Sequence, residues 1–250
     1  MPPVRTAKKN TASADAAPIA KRGQPKTMWL KPPKDPLPKG DKEAYFVCSG
    51  RDWGDTYQKL IGMGTRNIRF GYEFVLTDRH VDDILALGPG VCGGLWQFIF
   101  EYKDVSYSAM NNNALTTDAV VRLAKACPKL RRIELQEACD VGEDALLALF
   151  ENCPALTHLE LTATGQKLNG TSLDALRQNP ELAPKLKKLI LGKLDDNKEF
   201  MKAMRALGKE RLAMTITLLC RIEVKIWGDW QLEELKTNYK KGRKQPDSWW

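Results

Sequence analysis

The sequence predicts an α/β domain in which about six helix–strand units stack into a solenoid, with a parallel sheet on its concave side. Two stretches, 115–135 and 141–161, match each other at a constant offset of 26 residues. A short apolar–x–apolar triplet recurs every 26 to 35 residues. A helical pattern with apolar residues at i, i+3 and i+4 precedes most triplets. One such unit cannot bury its own apolar face, so neighbouring units are expected to stack.

The best evidence for a repeat is the agreement between these two stretches. Seven positions match, and two of them form a Cys-Pro dipeptide in both copies. No packing rule requires Cys-Pro at a fixed interval, so the agreement indicates repeated units. The matched pairs are Leu115 and Val141, Leu123 and Leu149, Cys127 and Cys153, Pro128 and Pro154, Leu130 and Leu156, Ile133 and Leu159, and Leu135 and Leu161.

The triplets are the predicted strands, and they lie at 68–70, 98–100, 133–135, 159–161, 189–191 and 216–218. Thr77 and Thr116 stand before helical patterns, where an N-cap hydroxyl is favoured. A proline after the helix is expected to end it and turn the chain toward its strand. The glycine-rich run 88–93 follows a helix rather than a strand, so we interpret it as a loop and not as a dinucleotide fingerprint.

The chain divides into three parts by composition. Residues 1–44 form a flexible basic tail with four prolines between 32 and 38, residues 45–235 form the repeat domain with terminal caps, and residues 236–250 form a second basic tail ending in Trp-Trp. Trp227 and Trp230 are expected to cap the open end of the sheet. The tails carry the basicity, because 45–235 contains 24 basic and 26 acidic residues.

This charge distribution and the absence of export signals restrict the function. A nearly neutral domain lacks the broad positive face that duplex binding needs. No apolar run spans a bilayer, and the amino terminus has no signal-peptide core, so we expect no membrane association and a location in the cytoplasm, the nucleus or both. Six cysteines without a Cys-x-x-Cys pair indicate reduced, packed thiols.

The sequence carries no recognisable catalytic constellation. There is no Gly-x-x-x-x-Gly-Lys loop, no His-Glu-x-x-His and no Gly-x-Ser-x-Gly. Adjacent carboxylates such as Asp195-Asp196 do not converge on one substrate atom. We therefore expect a protein that is not an enzyme and that needs no cofactor or metal.

The Cys-Pro units resemble leucine-rich repeats of the cysteine-containing subtype, which read Cys-Pro-x-Leu-x-x-Leu-x-Leu and then place a Cys before an Ile-Thr-Asp helix entry. Residues 127–135 and 153–161 follow this pattern, and Cys139 stands one place late. Proteins of this subtype are typically substrate receptors of cullin-type ubiquitin ligases or relatives that bind proteins. The chain lacks a recognisable F-box, since no three-helix apolar pattern develops before residue 55.

Strand alternation predicts which side chains a solenoid of this kind presents on its concave sheet. They form a mixed polar surface suited to a protein partner. The leading hypothesis is therefore a non-catalytic protein-recognition module, with a ubiquitin-ligase adaptor or a cell-cycle regulator as partner. The alternatives are a structural subunit of a larger hetero-complex and a protein that touches nucleic acid through its tails only. The predicted partner-binding residues are Arg69, Gln97, Glu101, Arg132, Glu134, Gln136, His158, Glu160, Thr162 and Lys188.

Overall fold

The computed structural model describes residues 38–102, 111–163, 168–194 and 197–246, which all belong to one compact unit. The amino-terminal tail up to residue 37 and the Trp249-Trp250 end lie outside the described residues. The strands are β1 (Glu43–Cys48), β2 (Asn67–Glu73), β3 (Val75–Thr77), β4 (Gln97–Phe100), β5 (Asn112–Ala114), β6 (Arg132–Leu135), β7 (His158–Leu161), β8 (Lys188–Gly192), β9 (Thr215–Ile226), β10 (Asp229–Lys240) and β11 (Arg243–Lys244). The helices are α1 (Ser49–Asp52), α2 (Tyr57–Leu60), α3 (Asp78–Ala86), α4 (Pro89–Cys92), α5 (Thr117–Ala126), α6 (Glu143–Asn152), α7 (Thr171–Gln178) and α8 (Lys198–Glu210).

One mostly parallel sheet organises these elements. Its strand order is β1-β2-β4-β6-β7-β8-β9-β10-β11, and every neighbouring pair from β1 to β9 is parallel. All six predicted triplets lie in this sheet as neighbours and in chain order. Equivalent residues stand opposite each other, so Ile133 pairs with Leu159, and Leu159 pairs with Leu189. The predicted parallel α/β sheet is confirmed.

The helices cover one face of the sheet because the apolar members of each strand point toward them. Ile133 and Leu135 in β6, and Leu159 and Leu161 in β7, are buried in the same cluster as the apolar faces of the helices. Full burial of each such side chain contributes about 1.5–3 kcal/mol. This cluster runs through all the repeated units.

The two Cys-Pro dipeptides have the same structural role. Cys127 and Cys153 are the C-cap residues of α5 and α6, and both are fully buried. The thiol of Cys153 donates to the carbonyl oxygens of Ala124 and Cys127 at 3.7 Å. Burial raises the pKa of the Cys153 thiol to about 12, so this thiol stays protonated and packed. Both prolines are exposed in the turn that follows.

The helix starts follow the predicted capping. The Thr116 hydroxyl accepts a hydrogen bond from the backbone N–H of Ala119, and Thr77 forms a capping box with His80 at the start of α3. The run 88–93 is more ordered than a loop, because residues 89–92 form the helical turn α4. No helix in the described ranges combines the length and the apolar content of a membrane span.

The two edges of the sheet differ from the prediction. Strand β1 adds a seventh parallel strand before the first triplet. At the other edge, β9 continues beyond its triplet and forms a long antiparallel hairpin with β10, which contains residues 236–240. Residues 243 and 244 then pair as β11, so this part of the chain is sheet rather than a flexible tail. Alternation of polar and apolar residues in 229–240 is weak, which is why the sequence pattern missed the hairpin.

The cap assigned to Trp227 is wrong, because this side chain lies at the hairpin turn and is 100% exposed. Trp227 and Gly228 connect β9 to β10 and both have positive φ, at 53° and 96°. A two-residue hairpin turn of type I′ requires positive φ at both central residues and favours Asn-Gly. A tryptophan in this conformation is unusual and costs backbone energy.

We predict that Leu130→Ala and Leu156→Ala lower the free energy of unfolding by similar amounts, about 2–5 kcal/mol each, because both leucines are fully buried at equivalent positions. Pro154→Ala is the control, since Pro154 is exposed, and we expect a change of about 1 kcal/mol or less. Urea unfolding followed by circular dichroism measures all three. Unequal losses for the two leucines would contradict structural equivalence of the units.

Candidate functional site

The sheet face opposite the helices carries the side chains predicted to bind a partner. Register places Gln97, Arg132, His158 and Lys188 in one row across four strands. Two residues further along, Ile99, Glu134, Glu160, Ile190 and Thr217 form the next row. Arg69 of β2 joins this second row. Glu101, Gln136 and Thr162 follow the strand ends on the same side. All ten predicted residues therefore share one face, and their role in binding stays a prediction.

In and just before strands β2, β4 and β6, cations contact acids and an aromatic ring. Arg69 lies 2.8 Å from Glu101 and 3.4 Å from Glu43. The Arg131 guanidinium lies 4.3 Å from the ring centroid of Trp96, a cation–π distance. Arg131 is exposed and Trp96 is half-buried, so this stacked pair presents its guanidinium to solvent.

In the centre of the face, two buried glutamates stand side by side on neighbouring strands. Glu134 and Glu160 are only 4% and 7% exposed. Arg132 lies 2.6 Å from Glu134, and the Gln136 side-chain amide donates to Glu160 at 2.9 Å. These contacts compensate the cost of burying two carboxylates next to each other.

A long-range contact that the sequence did not predict closes this centre. Arg221, in the extension of β9, has a side chain only 4% exposed. Its guanidinium lies 3.0 Å from Glu137, 3.4 Å from Glu160 and 2.9 Å from Glu234. Arg221 also donates to the Thr162 hydroxyl at 2.9 Å. The hairpin is thus fixed against the carboxyl ends of β6 and β7 by the Arg221 guanidinium, which contacts three carboxylates.

Between the hairpin and the strands lies a polar pocket of about 310 Å³. It contains six of the ten predicted residues, together with residues that the hairpin contributes. The lining residues are Arg132, Glu134, Gln136, His158, Glu160, Lys188, Ile190, Thr217, Leu219, Glu234, Lys236 and Asn238. The hairpin, which sequence reasoning missed, converts an open polar surface into a concave site.

Burial shifts the pKa values of two groups in the pocket. Burial, together with the nearby positive charges of Lys188 and Arg132, lowers the pKa of His158 to about 4. The imidazole is therefore neutral at pH 7. Burial also raises the pKa of Glu160, and the neighbouring Glu134 adds to this effect, while Arg221 opposes it.

Three potential metal ligands meet in the pocket floor, and their geometry fits an internal network better than a metal. The donor atoms of Glu134, His158 and Glu160 lie within 4.8 Å of one another. Arg132 and Arg221 already contact the two carboxylates. The His158 Nε2 atom is buried without a hydrogen-bond partner, although it lies 3.2 Å from Glu134.

The hairpin carries exposed apolar side chains outside the pocket. Beside the fully exposed Trp227, Ile222, Ile226 and Leu235 are 37%, 40% and 43% exposed. Exposed large apolar residues concentrated on one element are typical of a surface that contacts another macromolecule.

Comparison with known proteins adds no family: the chain matches no protein-family model and no curated protein. The resemblance to leucine-rich repeats therefore remains a hypothesis carried by the repeat itself. The function of the chain has to be proposed from the geometry of the polar face and the hairpin.

We predict that the pKa of His158 is about 4, well below the ordinary histidine value of 6.5. Between these values the unfolded chain binds more protons than the folded chain, so the free energy of unfolding falls as the pH drops from 7 to 5. The expected loss from this group is on the order of 1–2 kcal/mol.

Glu160 acts with the opposite sign above pH 4.5, because its pKa is raised. His158→Gln should remove the histidine contribution, measured by unfolding at both pH values. Titration of the His158 ring protons near 6.5 by NMR would contradict the prediction.

We predict that Arg221→Met destabilises the protein by about 3–5 kcal/mol, because it leaves buried carboxylates without their cation. Amide hydrogen exchange should accelerate most in the hairpin. Arg122→Met is the matched control, since Arg122 and Asp82 form an exposed ion pair with side chains 43% and 54% exposed. The control should lose about 1 kcal/mol or less. Equal losses in both variants would show that the Arg221 contacts do not fix the hairpin.

Proposed function

We propose that the chain is a short leucine-rich-repeat solenoid of about six units that acts as a non-catalytic protein-recognition module. Its concave sheet and hairpin form the binding surface. The polar pocket carries this proposal, because six predicted binding residues converge there with side chains from the hairpin. The repeat offset of 26 residues and the in-order parallel strands support a solenoid.

The chemistry of the surface suits a protein partner. Its rim carries the exposed cations Arg132, Lys188 and Lys236, while its floor is lined by paired glutamates. Ile190 and Leu219 give it aliphatic spots.

Trp227 supplies a candidate anchor beside this surface. A fully exposed indole in a backbone conformation that favours Asn or Gly lowers stability in the free protein. A partner that buries the indole offsets this cost, since aromatic anchors dominate the energetics of protein interfaces.

The partner class follows from the resemblance alone. A cysteine-containing leucine-rich repeat without an F-box is expected to act as a specificity factor related to cullin-type ubiquitin ligases or to bind a cell-cycle regulator. The second candidate is a structural subunit of a larger assembly. Trp227 favours it too, because a stoichiometric neighbour would bury the same indole permanently.

Site-specific photo-crosslinking tests the recognition surface. A photoreactive phenylalanine analogue replaces Arg132 in the pocket rim or, as control, Lys125 on the exposed side of α5. The full chain is expressed in its own cells, irradiated and purified under denaturing conditions. We expect discrete protein adducts from position 132 and none of the same mass from position 125. Equal adduct patterns, or none from position 132, would refute the proposal. Adducts that appear only within one large complex of fixed stoichiometry would favour the structural subunit.

We predict that Trp227→Asn stabilises the free protein and weakens partner binding. Asn-Gly is the preferred type I′ turn, so the free energy of unfolding should rise by a few tenths to about 1 kcal/mol. Loss of the indole should reduce the yield of the partner adduct from position 132 at least tenfold, in line with an anchor worth about 2 kcal/mol. Lys241→Asn is the control, because Lys241-Gly242 forms the second positive-φ hairpin turn, between β10 and β11. It should stabilise similarly and leave the adduct unchanged. An unchanged adduct with Trp227→Asn would exclude Trp227 as an anchor.

A further inference from the structure

A second surface, separate from the polar pocket, lies on the helical side of the hairpin. A groove of about 670 Å³ runs along α8, with Met201 and Tyr239 in its lining. Lys198, Lys202 and Arg205 line it along the helix, and Lys209 follows one turn later. All four cations are exposed. We define these four residues together with Lys244 as the basic groove.

The hairpin brings Lys244 to the same place. Lys244 of β11 stands opposite Tyr239 of β10, and side chains opposite each other in an antiparallel pair share one side. The turn before β11 is pressed against α8, because a Cβ on Gly242 would lie 2.6 Å from Lys209 Cγ and 2.7 Å from the Arg205 carbonyl oxygen. Gly242 has φ of 71°, a second reason for glycine here. Basic residues assigned to a flexible tail are thus built into the folded domain.

The cations of the basic groove are not paired with acids in the part of the chain that the structure describes. Within the described residues, none of the five cations of the basic groove forms an ion pair with a carboxylate. Glu210 lines the groove, but its carboxylate pairs with Arg177 at 3.0 Å. Like charges at i, i+4 positions on a helix destabilise it. Clustered unpaired cations therefore favour an anionic ligand.

We infer that the basic groove binds the phosphate backbone of a single-stranded nucleic acid. This inference goes beyond the proposed protein recognition and does not depend on it. The four helical cations span about 16 Å along α8, at 1.5 Å per residue. A single narrow row of cations fits one strand better than the two backbones of a duplex.

The residue types favour nucleic acid over an acidic protein. Lysine is depleted at protein–protein interfaces, yet it supplies four of the five cations here. Tyr239 is 7% exposed, so its ring is covered and cannot stack on a base. Binding is therefore expected to depend on phosphates and not on base sequence, with the steep salt dependence of counterion release.

Fluorescence anisotropy with labelled 20-nucleotide single-stranded RNA and DNA tests the inference, using the full chain between 50 and 200 mM salt. The variant replaces Lys198, Lys202, Arg205 and Lys209 with Gln, a good helix former. The control replaces four exposed lysines elsewhere, Lys42, Lys59, Lys125 and Lys129, and removes the same net charge. Circular dichroism verifies that both variants fold, and the terminal tail is identical in all three proteins.

The wild-type chain and the control should bind both strands, with affinity falling steeply as salt rises. Four phosphate contacts contribute a slope of about −2.8 in log affinity against log salt, or about 50-fold over this range. The groove variant should lose that contribution.

Equal slopes in the groove variant and the control, or tighter binding of duplex DNA, would overturn the inference. Full competition by poly-glutamate at matched charge would identify an acidic protein instead and overturn it equally. The crosslink from position 132 should persist in the groove variant, so failure here is distinguishable from failure of the recognition proposal.

Discussion

The structure depends on the burial of an apolar face that no single helix–strand unit can cover. Each unit contributes two inward strand side chains and one helix face, and neighbouring units supply the rest of the core. In-register parallel pairing keeps equivalent residues opposite each other, as with Ile133, Leu159 and Leu189. This constraint fixes the helices on one side. It also forces the alternate strand residues onto the other side, where a polar surface forms without further specification.

That surface contains carboxylates at equivalent positions of neighbouring strands. The cation that compensates them belongs to the hairpin and therefore holds the hairpin against the sheet. Glu134 and Glu160 are adjacent because the repeat places the same residue type at the same strand position. Two buried acids side by side require cations, and Arg132 comes from the local strand while Arg221 comes from the extension of β9. The repeat therefore places two buried negative charges at the centre of the face. Arg221 of the hairpin compensates part of this charge, and the pocket forms between the hairpin and the strands.

The sequence predicted the parts of the fold that depend on local periodicity. Six triplets, the Thr77 and Thr116 helix starts and the shared face of the ten polar residues follow from spacing and alternation. The hairpin could not be predicted this way, because Trp227-Gly228 is a poor type I′ signal and the alternation in β10 is weak. The Arg221 contacts to Thr162, Glu160 and Glu137 join residues 59 to 84 positions apart, and no local pattern encodes such pairing. The pocket was missed for the same reason, although half of its twelve lining residues had been predicted to bind a partner.

The hairpin also explains why one small domain carries two surfaces of different charge. Along β10, residues alternate between the two sides of the sheet, so Lys236 and Asn238 face the polar pocket while Tyr239 faces α8. On the pocket side, cations are matched by buried glutamates, and the balance favours partners that offer shape and mixed polarity. On the α8 side, the groove lysines form no ion pair with an acid in the described ranges, and this imbalance is the basis of the proposed phosphate binding. A single pair of strands thus separates the surface proposed for protein recognition from the surface proposed for phosphate binding, and we expect mutations on one surface to leave the other intact.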